Sequence, residues 1–175
     1  DMPVLFSPTN MATGVPLSPT LDVTVSDPEA QNLTVTFYGR PVTVAPGADF
    51  TFVALPDAQF YTSELNGGTN AIFKQQTQWV VNNRSTENIA FVSQLGDLSE
   101  HGDTYIVEWQ RADTALKVFE TAIPEIPYGI GIGNHDQTGG TTYYNQFFGT
   151  TRFSGRAYYG GNFGSNNNNY FELFN

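Results

Sequence analysis

Apolar and polar positions change their rhythm at about residue 46. Before that point short runs rich in β-branched and aromatic residues alternate with turn formers. The runs are VLF (4–6), TLDVTV (20–25), LTVTFYG (33–39) and PVTV (41–44), and SPTNMATGVPLSP and SDPEAQN lie between them. Such runs, bounded by Pro, Asn, Asp and Ser, predict strands and turns with no helical period. Residues 1–46 are therefore expected to form a small all-β unit, immunoglobulin-like in pattern but too short for a whole sandwich. Ala45-Pro46-Gly47-Ala48 marks the expected boundary with residues 47–175.

After the boundary, strand-like and helix-like patterns alternate. DFTFVAL (49–55), NIAFVSQL (88–95) and IPYGIGI (126–132) are short apolar runs of the kind found in buried parallel strands. Between the first two, Ile72, Phe73, Trp79 and Val80 form a helical stripe over 69–84. Between the second and third, Tyr105, Ile106, Trp109, Ala112, Leu116 and Phe119 form another. Both tryptophans are expected to pack against a sheet. The order β-α-β-α-β predicts an α/β fold with a parallel sheet and right-handed crossovers. Residues 137–169, dominated by Gly, Asn, Thr and Tyr, read as a long irregular loop, and YFELF (170–174) as the start of one more strand. Aromatic residues in that loop read equally as a substrate platform or as packing anchors. A strand at 170–174 without neighbours would be an exposed edge inviting self-association.

Composition narrows the setting. Seven basic residues against 17 acidic give a net charge of −10, which repels nucleic acid and anionic membranes. The chain has no cysteine, excluding disulfide and thiolate chemistry. No apolar run approaches the roughly 20 residues of a membrane span. Low charge, abundant Asn, Gly, Thr and Tyr, and a start at Asp1 suit a trimmed, secreted or cell-surface bacterial protein.

In open α/β sheets ligands bind beyond the carboxyl ends of the strands. Each predicted strand here runs into polar residues at that end. The first leads to Asp57-Ala58-Gln59, the second to Gly96-Asp97-Leu98-Ser99-Glu100, and the third to Gly133-Asn134-His135-Asp136. These turns should lie side by side, bringing together hard oxygen donors and one of only two histidines in the chain. That combination suits a divalent metal site. His101, the other histidine, reads as a solvated loop residue.

The three motifs, in this order, resemble the calcineurin-like metallophosphoesterases, whose pattern is D-x-H, then GD-x-x-D/E, then GNH-D/E. The likeness covers roughly residues 50–175, and ATGVPLSPTLDVTVSDP is similar to the immunoglobulin-like lead-in of some secreted bacterial members. It implies part of an αββα sandwich and two divalent ions (Mn, Fe, Zn, Mg or Ca). Asp57 and Gln59 would ligate the first ion, Asp97 would bridge both, and Asn134 would ligate the second. His135 would act as the acid, with Asp136 holding its ring and Glu100 supporting the site from behind. The implied reaction is phosphoester hydrolysis by a metal-activated water. Two departures stand out. Gln59 occupies a family histidine position, and no histidine follows His135, where the family supplies further ligands. The chain is thus expected to be an amino-terminal portion, weakly active or inactive alone. The alternative is a non-catalytic, secreted structural or surface-binding module built on the same half-fold. A carbohydrate-binding β-protein is a weaker rival, because two helical stripes separate the strands.

Overall fold

The computed structural model describes residues 4–9, 12, 19–26, 34 and 49–174. The chain divides into two compact units, Asp1–Pro46 and Gly47–Asn175. In the first, β1 (Val4–Ser7) pairs antiparallel with β2 (Asp22–Thr24) in the register Val4↔Thr24. Apart from Thr34, the further runs at 33–39 and 41–44 lie outside the described residues, and with them the immunoglobulin-like expectation.

The second unit is mixed α/β. Its first half runs β3 (Thr51–Leu55), α1 (Gln59–Ser63), α2 (Asn70–Asn83), β4 (Ile89–Gln94), a 3₁₀ turn at Gly102–Thr104, α3 (Ile106–Thr121) and β5 (Tyr128–Ile130). The three strands form a parallel sheet in the order β3-β4-β5, with Val53↔Val92 and Val92↔Tyr128 in register. Among the described residues no helix is long and apolar enough to cross a membrane.

Strand alternation puts Val53, Leu55, Val92, Gln94, Tyr128 and Ile130 on one face of the sheet. The buried stripes Phe73, Thr77 and Val80 of α2, and Trp109, Ala112, Leu116 and Phe119 of α3, join these residues in the core. Phe119 meets Tyr128 at 5.5 Å between ring centroids. Burying one such aromatic stabilises the fold by about 1.5–3 kcal/mol relative to leaving it in water.

The α2 stripe is narrower than the sequence predicts. Ile72 and Trp79 are exposed, at 37% and 51%, whereas Phe73 and Val80 are buried. Successive helix positions are about 100° apart, so one residue's displacement carries Trp79 off the face that Val80 occupies. Trp109, by contrast, is fully buried.

Residues 137–169 are not an irregular loop. They contain α4 (Thr142–Phe148), α5 (Thr150–Phe153) and β6 (Tyr159–Asn162), and β6 pairs antiparallel with β7 (Tyr170–Glu172). The aromatic residues supply the order: Tyr144, Phe148, Phe153 and Tyr158 are buried and belong to the main core. They are packing anchors. Tyr144 and Tyr170 also satisfy the outer edge of β5, both hydroxyls donating to the Ile130 carbonyl, at 3.1 and 2.8 Å. On the second face of the sheet Phe174 stacks on Phe91 at 4.6 Å, and the Glu172 carboxylate occupies the space a Cβ on Gly129 would need.

Candidate functional site

Local interactions build the site before any charge is considered. Gln94 ends β4 fully buried, and its amide is used completely in shaping the following turn. Its Nε2 donates to the carbonyls of Pro56 (3.1 Å) and Gly96 (2.9 Å), while its Oε1 accepts the Gly96 N–H at 2.8 Å. This one side chain ties the ends of β3 and β4 together. The chain then reverses through Gly96 (φ 101°) and Asp97 (φ 47°). Asp is among the few non-glycine residues that adopt the left-handed region readily.

The turn after β5 closes onto Asp97. A Cβ on Gly133 would lie 2.0 Å from Asp97 Oδ1 and 2.2 Å from its backbone nitrogen, so only glycine fits there. The His135 N–H donates to Asp97 Oδ1 at 2.8 Å, and the Ala58 N–H donates to the Asp97 carbonyl at 3.1 Å. Asp97 therefore joins all three turns, and the residues following β3, β4 and β5 meet at the carboxyl edge of the sheet.

Asp57 is exposed, and its Oδ1 accepts the Gln59 N–H at 2.8 Å. Gln59 is 8% exposed, and among the described residues its buried Oε1 has no hydrogen-bond partner. Asn134 is exposed. His135 is partly exposed, with Nδ1 3.1 Å from the Glu100 carbonyl and 3.4 Å from Glu100 Oε2. A carbonyl only accepts, so Nδ1 carries a hydrogen and Nε2 is the nitrogen left for other partners. The Glu100 carbonyl, followed by the negative charges of Glu100, Asp97 and Asp57, outweighs burial and raises the His135 pKa above its ordinary value.

Asp136 takes a different part from the one the resemblance implies. Its carboxylate does not hold the His135 ring; Glu100 does that. Asp136 is fully buried, with Oδ1 accepting the Ser99 N–H and Oδ2 the Gly133 N–H, each at 2.9 Å. It clamps the second turn to the third. Burial drives its pKa up to about 6 against the opposing pull of these N–H groups. His101 is not a free loop histidine either: its Nδ1 stands 2.7 Å from Glu108 Oε1, and its ring packs on Tyr105.

Sequence reading missed Gln94 and Glu108. Both were visible as signals: Gln94 is a lone long polar side chain on the inward-facing register of an apolar strand, and Glu108 falls in the first turn of α3. Arg152 and Arg156 are committed elsewhere. Arg152 pairs with Glu120 and Asp113, and Arg156 with Glu125 and Glu120, leaving neither poised for a phosphate.

As a metal site, the edge offers hard oxygen donors: the Asp57 and Asp97 carboxylates and the Gln59 and Asn134 amides. Their chemistry fits Mg²⁺, Mn²⁺ or Ca²⁺ better than Zn²⁺, and the unsatisfied Gln59 Oε1 is an acceptor in want of a partner. Among the described residues no three His, Asp or Glu side chains converge closely enough to hold an ion by themselves. The amides would have to share that task.

Over 131 residues the chain is 32% identical to a Bacillus subtilis (strain 168) protein described as uncharacterized protein YvnB. The match takes in 73% of this chain but 10% of the relative, so the chain spans about a tenth of the length of the curated relative it matches. No family profile matches the chain. No solved structure matches it.

Proposed function

We propose that this chain forms part of a metal-dependent phosphoester hydrolase of the calcineurin-like type, its parallel strands being one portion of an αββα sandwich. One observation carries this reading. Asp97 holds the Asp57 turn through its carbonyl and the His135 turn through its carboxylate, so the three motif-bearing turns share one edge.

Asp57, Gln59, Asp97 and Asn134 would hold divalent ions, which when bound supply Lewis-acid polarisation of the phosphate and an acidified water. The remaining work belongs to the protein. Asp136 and Gln94 keep the turns from separating, and Asp97 holds the His135 backbone in place. The Glu100 carbonyl holds the Nδ1–H of His135, so in the doubly protonated ring it is the Nε2 proton that passes to a leaving-group oxygen, leaving the neutral Nδ1–H tautomer behind. A general acid placed in this way contributes typically about 10²–10⁴-fold.

The test is Mn²⁺ titration by calorimetry together with hydrolysis of bis-p-nitrophenyl phosphate. Metal-dependent turnover, however slow, that disappears in Asp97→Ala and falls in His135→Ala supports the reading. A folded chain that binds no Mn²⁺ removes it.

A further inference from the structure

Glu108 is a carboxylate buried to 2% exposure, and among the described residues its side-chain hydrogen bonds all go to one three-residue segment. Its Oε2 accepts the Ser99 hydroxyl at 2.7 Å, the Glu100 N–H at 2.9 Å and the His101 N–H at 3.0 Å. Its Oε1 takes the His101 ring at 2.7 Å. Burying a carboxylate is costly unless such bonds offset it, and an apolar side chain would serve packing alone at least as well. Four donors converging on one group therefore mark a device for shaping a loop.

The shape matters because of one peptide plane. Glu100–His101 is a trans peptide, in which the carbonyl of the first residue and the N–H of the second point in opposite directions. Glu108 draws the His101 N–H towards α3. The Glu100 carbonyl must then face the other way, and there it meets His135 Nδ1 at 3.1 Å.

Resting on the hydrolase reading above, we infer that Glu108 is a positioning residue: by gripping the Glu100–His101 peptide it sets which ring nitrogen of His135 carries the proton and which faces the reaction. It acts two contacts away from the imidazole and touches no reacting atom. Loosening the grip lets the peptide rotate, freeing Nδ1 and allowing the neutral ring to populate its other tautomer.

The experiment compares wild type with Glu108→Gln, which keeps the volume but loses acceptor capacity. Glu108→Asp, which withdraws the carboxylate by one methylene, serves if the first variant does not fold. Imidazole ¹⁵N shifts are recorded at alkaline pH, where the neutral ring is populated, and His101→Gln assigns the two histidines. The wild type should show His135 protonated at Nδ1, and the variant a mixture of tautomers. Turnover of bis-p-nitrophenyl phosphate with Mn²⁺ should fall about 10–100-fold with KM changed less than about 3-fold, as for outer-shell partners generally. A folded variant whose His135 keeps the wild-type tautomer overturns the inference whatever its activity. A redistributed tautomer in a protein without phosphoesterase activity upholds the positioning role, and only the hydrolase reading falls.

Discussion

The main-chain N–H of His135 donates to Asp97 Oδ1 at 2.8 Å, across 38 positions of sequence. Gly133, two residues earlier, leaves room for that carboxylate. Gly133→Ala would drive a methyl into both Asp97 Oδ1 and its backbone nitrogen. A flexible side-chain tip could move aside, but a backbone atom in a hydrogen-bonded turn cannot. Gly133→Ala is expected to destabilise the fold by about 1–3 kcal/mol, the usual cost of overpacking, and to weaken Mn²⁺ binding at least tenfold. Urea unfolding and calorimetry check the two effects separately.

Asp97 has a structural and a candidate metal role, and two substitutions divide them. Asp97→Asn keeps an oxygen for the His135 N–H and a residue type that accepts φ near 47°. Its stability should stay within about 1 kcal/mol of wild type, while Mn²⁺ affinity falls more than about tenfold because a charged donor is lost. Asp97→Ala should lose both. Equal metal binding in Asp97→Asn and wild type would place the ion elsewhere.

Arg152, on α5, reaches across to α3 with its side chain 12% exposed, paired with Glu120 at 2.6 Å and over the Phe148 ring at 4.6 Å. Arg152→Met takes one charged partner from Glu120 but leaves it Arg156 and the Tyr128 hydroxyl, so it should cost about 1–3 kcal/mol in urea unfolding. The acid limb should change as well. Burial pushes the Glu120 carboxyl up, but the Tyr128 hydroxyl and the Arg152 and Arg156 charges prevail and hold it below 4.5. A lowered acid pKa contributes stability that is present above 4.5 and lost as pH falls through the folded value. In Arg152→Met that acid-side loss should shrink.

Glu172 predicts the opposite slope. Burial alone raises its pKa from 4.5 to about 7, and the Gly129 backbone lies beneath its carboxyl. The fold prefers the protonated form, so this contribution is fully present below pH 4.5 and disappears as pH rises through about 7. Glu172→Gln is neutral throughout. It should leave the melting temperature near pH 4 unchanged and raise it at pH 8 by about 2–4 °C, roughly 1 kcal/mol for a chain of this size. A variant melting at or below wild type at pH 8 would contradict the burial argument.

The two parallel crossovers were legible because the apolar spacing of Phe73 and Val80, and of Trp109, Leu116 and Phe119, is local information that a helix converts directly into a face. The three polar turns were legible for the same reason, since a strand end followed by Gly-Asp or Gly-Asn-His is a short-range pattern. Position within the site was not. Whether Asp136 or Glu100 holds the His135 ring depends on how the turns after β4 and β5 are rotated against each other. That rotation follows from Asp136 reaching Ser99 and Glu108 reaching His101, contacts between segments that sequence spacing does not relate. The helices at 142–153 were hidden for a kindred reason. Thr, Asn and Gly dominate their surroundings, and helical propensity there is weak. What orders them is the burial of Tyr144, Phe148 and Phe153 against Trp109 and Tyr128. Over residues 49–132 the sequence by itself determined the order of the three parallel strands, the two long helices between them and the chemistry-bearing turns. Tertiary packing decided which of those side chains face each other, because hydrogen-bond direction and core complementarity exist only once distant segments have met.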